Sequence, residues 1–121
     1  MVVKDPELHD GTLCSIELTE PSGLVLQCVT DDGKAVRIVG EGLVRLHANE
    51  LRERNIIFEV RIGGADDYTQ TALARLFFEH PGGTQKGRDV IAAGGCLLEI
   101  ESSYGCELVA LFSGPVTLRS A

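Results

Sequence analysis

The chain has 121 residues, the length of one ordinary domain, and we expect residues 1–121 to form a single domain. Its composition is 44% hydrophobic and 24% charged, which excludes a disordered chain. The net charge is −7, from 18 acidic and 11 basic residues. An acidic surface repels phosphate backbones, so the charge argues against a nucleic-acid ligand. It would suit a basic protein partner, although solubility alone is the preferred explanation.

No stretch of sequence reaches the roughly 18–20 apolar residues of a membrane-spanning helix. Met1–Glu7 lacks the apolar region of a secretory signal, so we expect a cytoplasmic protein without membrane contact. Cys14, Cys28, Cys96 and Cys106 form no C-x-x-C pair, so their spacing predicts no zinc site. We expect four free, buried thiols, although Cys14 and Cys28 could face each other across a hairpin.

Alternating apolar residues separated by turn signals predict a β-rich chain. The first three strands form an antiparallel meander, because Glu20–Gly23 and Asp31–Lys34 supply the Pro, Gly and Asp of tight turns. In the first strand Cys14, Ile16 and Leu18 are predicted to share one face. The expected strands are 12–19, 24–30, 35–39, 43–47, 56–62, 96–101, 106–112 and 116–119. In strand 56–62, the apolar face is predicted to hold Ile56, Phe58, Val60 and Ile62, with Ile57 opposite.

One amphipathic helix is predicted at residues 67–79, with Asp67 and Gln70 as a capping box and Leu73 on its apolar stripe. Residues 48–55 predict either one helical turn or a loop. The Gly-rich segment 81–95 has no clear period and predicts a loop of the kind that often carries function. The fold class is therefore α+β: a mostly antiparallel sheet, meander or sandwich-like, of about seven to eight strands, with one helix packed on it.

Candidate ligand-binding residues come from two segments and one turn. His9 and Asp10 could orient a general base or contribute two ligands to a metal, although a turn that caps the first strand is the preferred interpretation. Segment 82–88 (GGTQKGR) lacks the Lys-Ser/Thr of a phosphate loop, yet Lys86 and Arg88 could meet an anion there. With Tyr104 in the last hairpin, these residues predict a pocket beside the 81–95 loop. No catalytic residue, cofactor or metal is predicted.

Candidate partner-binding residues lie between the middle strands. Arg52 and Arg54 could contact a protein partner, since arginine is enriched in interfaces, or could belong to a solvated face where Glu50 and Arg54 pair along a helical turn. A second type of interface is predicted at 116–119, where an edge strand could pair with its copy in a homodimer.

A broader pattern joins Leu8–Asp10, Leu13, Ile16 and the strand at 56–60. It resembles small uncharacterised bacterial β-rich proteins, some of which are classed as immunity proteins of polymorphic-toxin systems. That resemblance implies a non-catalytic domain that masks a basic partner, and this is the leading hypothesis. The alternative is a small-molecule-binding protein or an enzyme without a recognisable motif, with its pocket near 81–95. A purely structural or oligomerisation module is the third hypothesis.

Overall fold

The computed structural model describes residues 3–4, 6–64, 67–80 and 82–120. It confirms the α+β class with a mostly antiparallel sheet. A short 3-10 turn occupies Pro6–Leu8. The strands are β1 Val3–Lys4, β2 Thr12–Thr19, β3 Gly23–Val29, β4 Ala35–Glu41, β5 Leu43–Asn49, β6 Asn55–Gly63, β7 Cys96–Tyr104, β8 Glu107–Phe112 and β9 Val116–Ser120, and the helices are α1 Asp67–Leu76 and α2 Gly83–Ala92.

The sheet closes on itself through two bent strands. Its strand order is β5-β8-β7-β6-β2-β3-β4-β9, with β1 paired to β6, so β4 and β5 stand at distant places in the order although they adjoin in sequence. Only Gly42 separates them, at φ +71°, a backbone conformation that glycine adopts readily. The Ser113 amide donates to the Gly42 carbonyl at 2.8 Å, where β8 turns into β9. The β5–β8 and β4–β9 ladders are therefore two halves of one bent ladder.

The closed sheet surrounds an apolar core that is sealed at one side by the N-terminal segment. Leu8, in the 3-10 turn, is fully buried as a member of this core, and the turn packs against β6. Phe112 fills the core at the bend between β8 and β9. The other fully or nearly buried members are Leu13, Leu24, Leu26, Cys28, Ile38, Ile57, Val60, Leu98, Ile100, Cys106, Leu108 and Ala110.

A second apolar cluster lies on the outer face of β7 and β8 and is covered by both helices. Leu97, Val109 and Leu111 of the strands pack against α1 and α2 there, so this strand pair is buried on both faces. The helical members are Ala72, Leu73, Leu76 and Phe77, with Val90 and Ile91 packed at the side. The predicted helix is confirmed, although it ends at Leu76, and the side chain of its expected cap Asp67 lies outside the described residues.

The predicted loop at 81–95 is wrong for residues 83–92, which form α2. The sequence of α2 shows no clear helical period of apolar residues, because glycines occupy the positions where the two helices touch. A Cβ added to Gly87 would stand 2.7 Å from a methyl group of Leu73, and one added to Gly83 would stand 2.3 Å from the Phe77 ring. The glycines therefore provide close helix packing rather than chain mobility.

Bulges overturn two of the predicted strand faces. In β2 the register shifts between Leu13 and Ser15, so Leu13 is buried and Cys14 is exposed, while Leu18, opposite the buried Leu24, keeps its predicted face although it is 67% exposed. One inserted residue reverses the predicted alternation before the bulge and leaves it unchanged after it. All four cysteines are free as predicted, but only Cys28 and Cys106 are buried. Burial raises the pKa of the Cys28 thiol to about 12, with the nearby Cys14 adding to the shift.

Strand β6 carries the second irregularity. Its register with β7 shifts between Ile56 and Ile57 and again between Ile57 and Glu59. Ile57 therefore points into the core, and Phe58, predicted to be on the apolar face, is 48% exposed.

Among the described residues no helix is long and apolar enough to cross a membrane.

Candidate functional site

The bulge in β6 creates a row of exposed apolar side chains on the outer face of the sheet. Ile57 points inward, so its neighbours Ile56 and Phe58 lie on the outer side. Tyr104 of β7 is the register partner of Ile56 and is 53% exposed. His9 lies edge-on to Phe58, with ring centroids 5.5 Å apart. We call Tyr104, Ile56, Phe58 and His9 the aromatic strip.

His9 is held in place by backbone on the edge of β6. Its Nδ1 lies 2.7 Å from the Phe58 carbonyl oxygen, so Nδ1–H donates to that oxygen. The other ring nitrogen, Nε2, lies 3.6 Å from the Asp10 carboxylate. Asp10 has φ +63°, and its amide donates to the Ile57 carbonyl at 2.8 Å. The pair therefore serves as a turn that ties the N-terminal segment to β6 and sets the His9 ring against Phe58.

Arg52 lies over the far end of the aromatic strip. Its guanidinium carbon is 5.4 Å from the centre of the Tyr104 ring, a cation–π geometry, and it pairs with Glu50 at 2.8 Å. The loop between β5 and β6 contains no helix, so the predicted helical turn and its Glu50–Arg54 pair are not formed. Arg54 is exposed in the same loop.

A buried amide fixes this loop to the sheet. Asn55, 3% exposed, accepts the amide hydrogens of Arg52 and Cys106 on Oδ1, each at 2.9 Å. Its Nδ2 donates to the carbonyls of Arg52 and Leu13, at 2.8 and 3.2 Å. Because both ends of the amide are satisfied, Asn55 joins β2, the Arg52 loop and the β7–β8 hairpin in one rigid unit.

The hairpin end depends on a glycine beside that amide. Gly105 has φ +89°, and a Cβ there would stand 2.6 Å from Asn55 Oδ1. The turn that carries Tyr104 can therefore approach Asn55 only because position 105 has no side chain. Tyr104 and Arg52 are consequently presented by preorganised backbone rather than by a free loop.

A buried ion cluster borders the aromatic strip on the same outer face. Arg61 Nη2 lies 2.7 Å from Glu99 and 3.1 Å from Glu101, and its Nε lies 3.5 Å from Glu59. The Arg61 and Glu99 side chains are 7% and 9% exposed, while Glu101 is 45% exposed. Three carboxylates therefore surround one guanidinium, and the exposed side of the cluster carries excess negative charge.

The ionisation of Glu99 should make stability depend on pH. Desolvation raises the pKa of Glu99; the nearby Arg61 and Arg75 offset part of the increase, and Glu101 adds to it. A carboxyl with a raised pKa binds its proton in the folded state at a pH where the unfolded chain has released it. The free energy of unfolding should therefore fall as pH rises from about 4.3, the ordinary value for Glu, through the raised value.

Urea denaturation of the protein and of Glu99→Gln, from pH 4 to pH 7, measures this effect. The midpoint of the unsubstituted protein should decline with pH relative to the midpoint of the variant, which carries no titrating group at this position. Parallel midpoints over the whole range would show that Glu99 titrates alike in the folded and unfolded chains.

The structure separates the predicted ligand-binding residues into two places. His9, Asp10 and Tyr104 lie around the Ile56–Phe58 end of β6. Lys86 and Arg88 lie on α2, whose Ile91 touches Gly64 just beyond the other end of β6. Six residues of strand correspond to about 20 Å, so these groups do not face one site. Arg88 donates instead to Gln70 of α1 and Gln85 of α2.

Two clefts lie at other places among the described residues. A cleft of about 340 Å³ is lined by the β2–β3 turn and the Val39–Gly42 bend, and one of about 190 Å³ is lined by Glu7, Thr30, Asp32 and Lys34. Neither is lined by the aromatic strip or by α2. The described residues contain no group of three or more His, Cys, Asp or Glu side chains that could hold a metal ion.

Comparison of the chain with protein-family models, with curated proteins and with solved structures finds no significant match. The site therefore has to be interpreted from its own geometry.

Three residues that shape the site were not identified from the sequence. Phe58 was placed in the core, because a period-two pattern conceals a bulge. No local sequence pattern marks Asn55 as a buried amide or Arg61 as a buried charge. The only sequence signal for Arg61 is the pair Glu99 and Glu101 at spacing two, which places both carboxylates on one face of a strand.

Proposed function

We propose that this chain is a non-catalytic protein-binding domain that uses the aromatic strip and Arg52 to bind a basic protein. The main support is that Tyr104 and Phe58 are 53% and 48% exposed on one face of the paired strands β7 and β6. Tyrosine, phenylalanine and arginine are the residue types most enriched in protein interfaces. The Asn55 amide network supports it further, because a rigid surface loses little conformational entropy on binding.

Charge determines the chemistry of the partner. Glu59 and Glu101 border the strip, Glu50 lies beside Arg52, and Asp10 lies beside His9. The whole chain carries −7. A basic surface is steered toward such a face, and its rim lysines or arginines would meet the exposed carboxylates.

The immunity-type role is the specific form of this function that the sequence resemblance implies. In that role the aromatic strip would cover the basic surface of a toxin, and the gene for that toxin would lie next to the gene for this chain. A homodimer through 116–119 is a separate form of binding. Strand β9 does lie at an end of the sheet, and its pairing with a second copy stays a prediction.

Removing both aromatic rings should weaken partner binding strongly. We expect Phe58→Ala combined with Tyr104→Ala to weaken binding by at least about 30-fold, since central aromatic anchors each contribute about 1–2 kcal/mol or more. The tagged chain would first capture a basic protein from its own organism, or the product of a neighbouring toxin-like gene. Isothermal titration calorimetry of the purified pair then measures the affinity, which should also fall as salt is added.

Phe78→Ala is the matched control. Phe78 is 60% exposed and lies edge-on to His47, at 5.4 Å, on a different part of the surface. Its removal should leave the affinity within a factor of about three. Unchanged binding by the double variant, or loss of binding by Phe78→Ala alone, would place the interface elsewhere.

A further inference from the structure

Strand β2 leaves the sheet with one edge open. It pairs with β3 along its whole length, from Thr12 to Thr19. Its pairing with β6 on the other side covers only Thr12 and Leu13. Within the residues that the structure describes, Ser15–Thr19 have no strand partner on that side. An unpaired strand edge is a template for another extended segment.

Alternation along β2 identifies the backbone groups on this edge. The Gly11 and Leu13 carbonyls accept hydrogen bonds from β6, so those residues face the β6 side. After the bulge between Leu13 and Ser15, alternation turns the backbone groups of Ile16 and Leu18 to the open edge. Leu18 is also the most exposed large apolar residue among those whose side chains the structure describes, at 67%.

A second copy of the chain fits this edge poorly. Antiparallel self-pairing that uses both Ile16 and Leu18 must be centred on Glu17. That arrangement sets two Glu17 carboxylates directly opposite each other, where side chains are closest, and like charges there destabilise the pair. Glu17 is the only charged residue in β2, so nothing on the strand compensates this repulsion.

We infer that β2 accepts an extended basic segment of the partner protein, which adds to the sheet as an antiparallel strand. Lysine or arginine opposite Glu17, between apolar residues opposite Ile16 and Leu18, satisfies the charge, the hydrogen-bonding groups and the exposed leucine together. The two end strands of the sheet, β5 and β9, fit a basic segment less well because they carry basic residues themselves. These are Arg45 and His47 on β5 and Arg119 on β9. The inference rests on the proposed function only in taking the partner to be basic. The place of binding follows from the open edge of β2 alone.

The experiment uses the full chain, labelled with ¹⁵N, and a short peptide that alternates valine with lysine. We expect chemical-shift changes confined to β2 and its neighbour β3, and at least tenfold slower hydrogen exchange of the Ile16 and Leu18 amides. A peptide with N-methyl groups on its edge-facing amides should not bind. A peptide with glutamate in place of lysine should bind at least tenfold more weakly to the unsubstituted chain, and Glu17→Lys should reverse that preference.

Light scattering gives an independent readout of the same edge. Glu17→Gln removes the opposed charges and should produce a concentration-dependent dimer that the unsubstituted chain does not form. Shift changes on β5, β9 or the aromatic strip, equal binding of the N-methyl peptide, or no binding at millimolar peptide would overturn the inference. Phe58→Ala with Tyr104→Ala should leave peptide binding intact, so failure at β2 and failure of the aromatic strip are distinguishable.

Discussion

Valine in place of Gly40 is expected to lower the free energy of unfolding by about 3 kcal/mol, the upper end of the range typical when extra atoms are forced into a packed core. A Cβ at position 40 would stand 2.2 Å from Phe112 Cε1 and 2.4 Å from Cζ. Phe112 is fully buried, so its ring cannot turn away without displacing other core residues. Urea denaturation at neutral pH measures the loss.

A control and a compensating substitution make the Gly40 experiment specific. Gly82 is exposed and has no heavy atom within 4 Å of an added Cβ, so Gly82→Ala should change stability by less than about 0.5 kcal/mol. Phe112→Leu shortens the side chain at the point of collision. Combined with Gly40→Val, it should cost less than the sum of the two single variants. Full additivity would show that position 40 and Phe112 do not collide.

Gly40 also shows why the closure of the sheet could not be predicted from the sequence. The segment 40–42 reads as a break between strands, and the predicted ends of those strands were nearly correct. In the structure this segment bends one long strand, so that β4 pairs with β9 and β5 pairs with β8. Turn residues mark a change of direction, but pairing between segments some 70 residues apart leaves no local pattern.

The individual strands were predictable because their local signals are strong. Turns rich in Pro, Gly and Asp bound β2, β3 and β4, and β7 and β8 are joined at Gly105. Faces were harder to predict, since one bulged residue reverses the inward and outward positions that follow it. That is how Phe58 came to be exposed. The aromatic strip thus arises where simple alternation fails.

The candidate site was predicted in part. His9, Asp10, Tyr104 and Arg52 were singled out by residue type, and the structure places all four around one outer surface. Their meeting depends on the register of β6 with β7 and on the Asn55 amide, which neither spacing nor composition reveals. Segment 82–88 was singled out for its glycines, of which Gly83 and Gly87 serve helix packing instead.

Leucine in place of Arg61 is expected to destabilise the fold by about 3–5 kcal/mol, because removing one partner of a buried ion pair leaves the opposite charge uncompensated. Here three carboxylates, Glu59, Glu99 and Glu101, lose the guanidinium that they share. Glu99→Leu should cost less, since Arg61 keeps two carboxylates. This asymmetry distinguishes a shared cation from an isolated pair, in which removing either partner has a similar cost.

The double variant Arg61→Leu with Glu99→Leu isolates the buried part of the cluster. It removes the two least exposed charges together, so we expect it to be at least about 1 kcal/mol more stable than Arg61→Leu alone, as buried ion pairs replaced by apolar residues often are. Urea midpoints of the four proteins complete the cycle. A double variant that loses the sum of the single costs would show that Arg61 stabilises the sheet through its hydrocarbon packing rather than its charge.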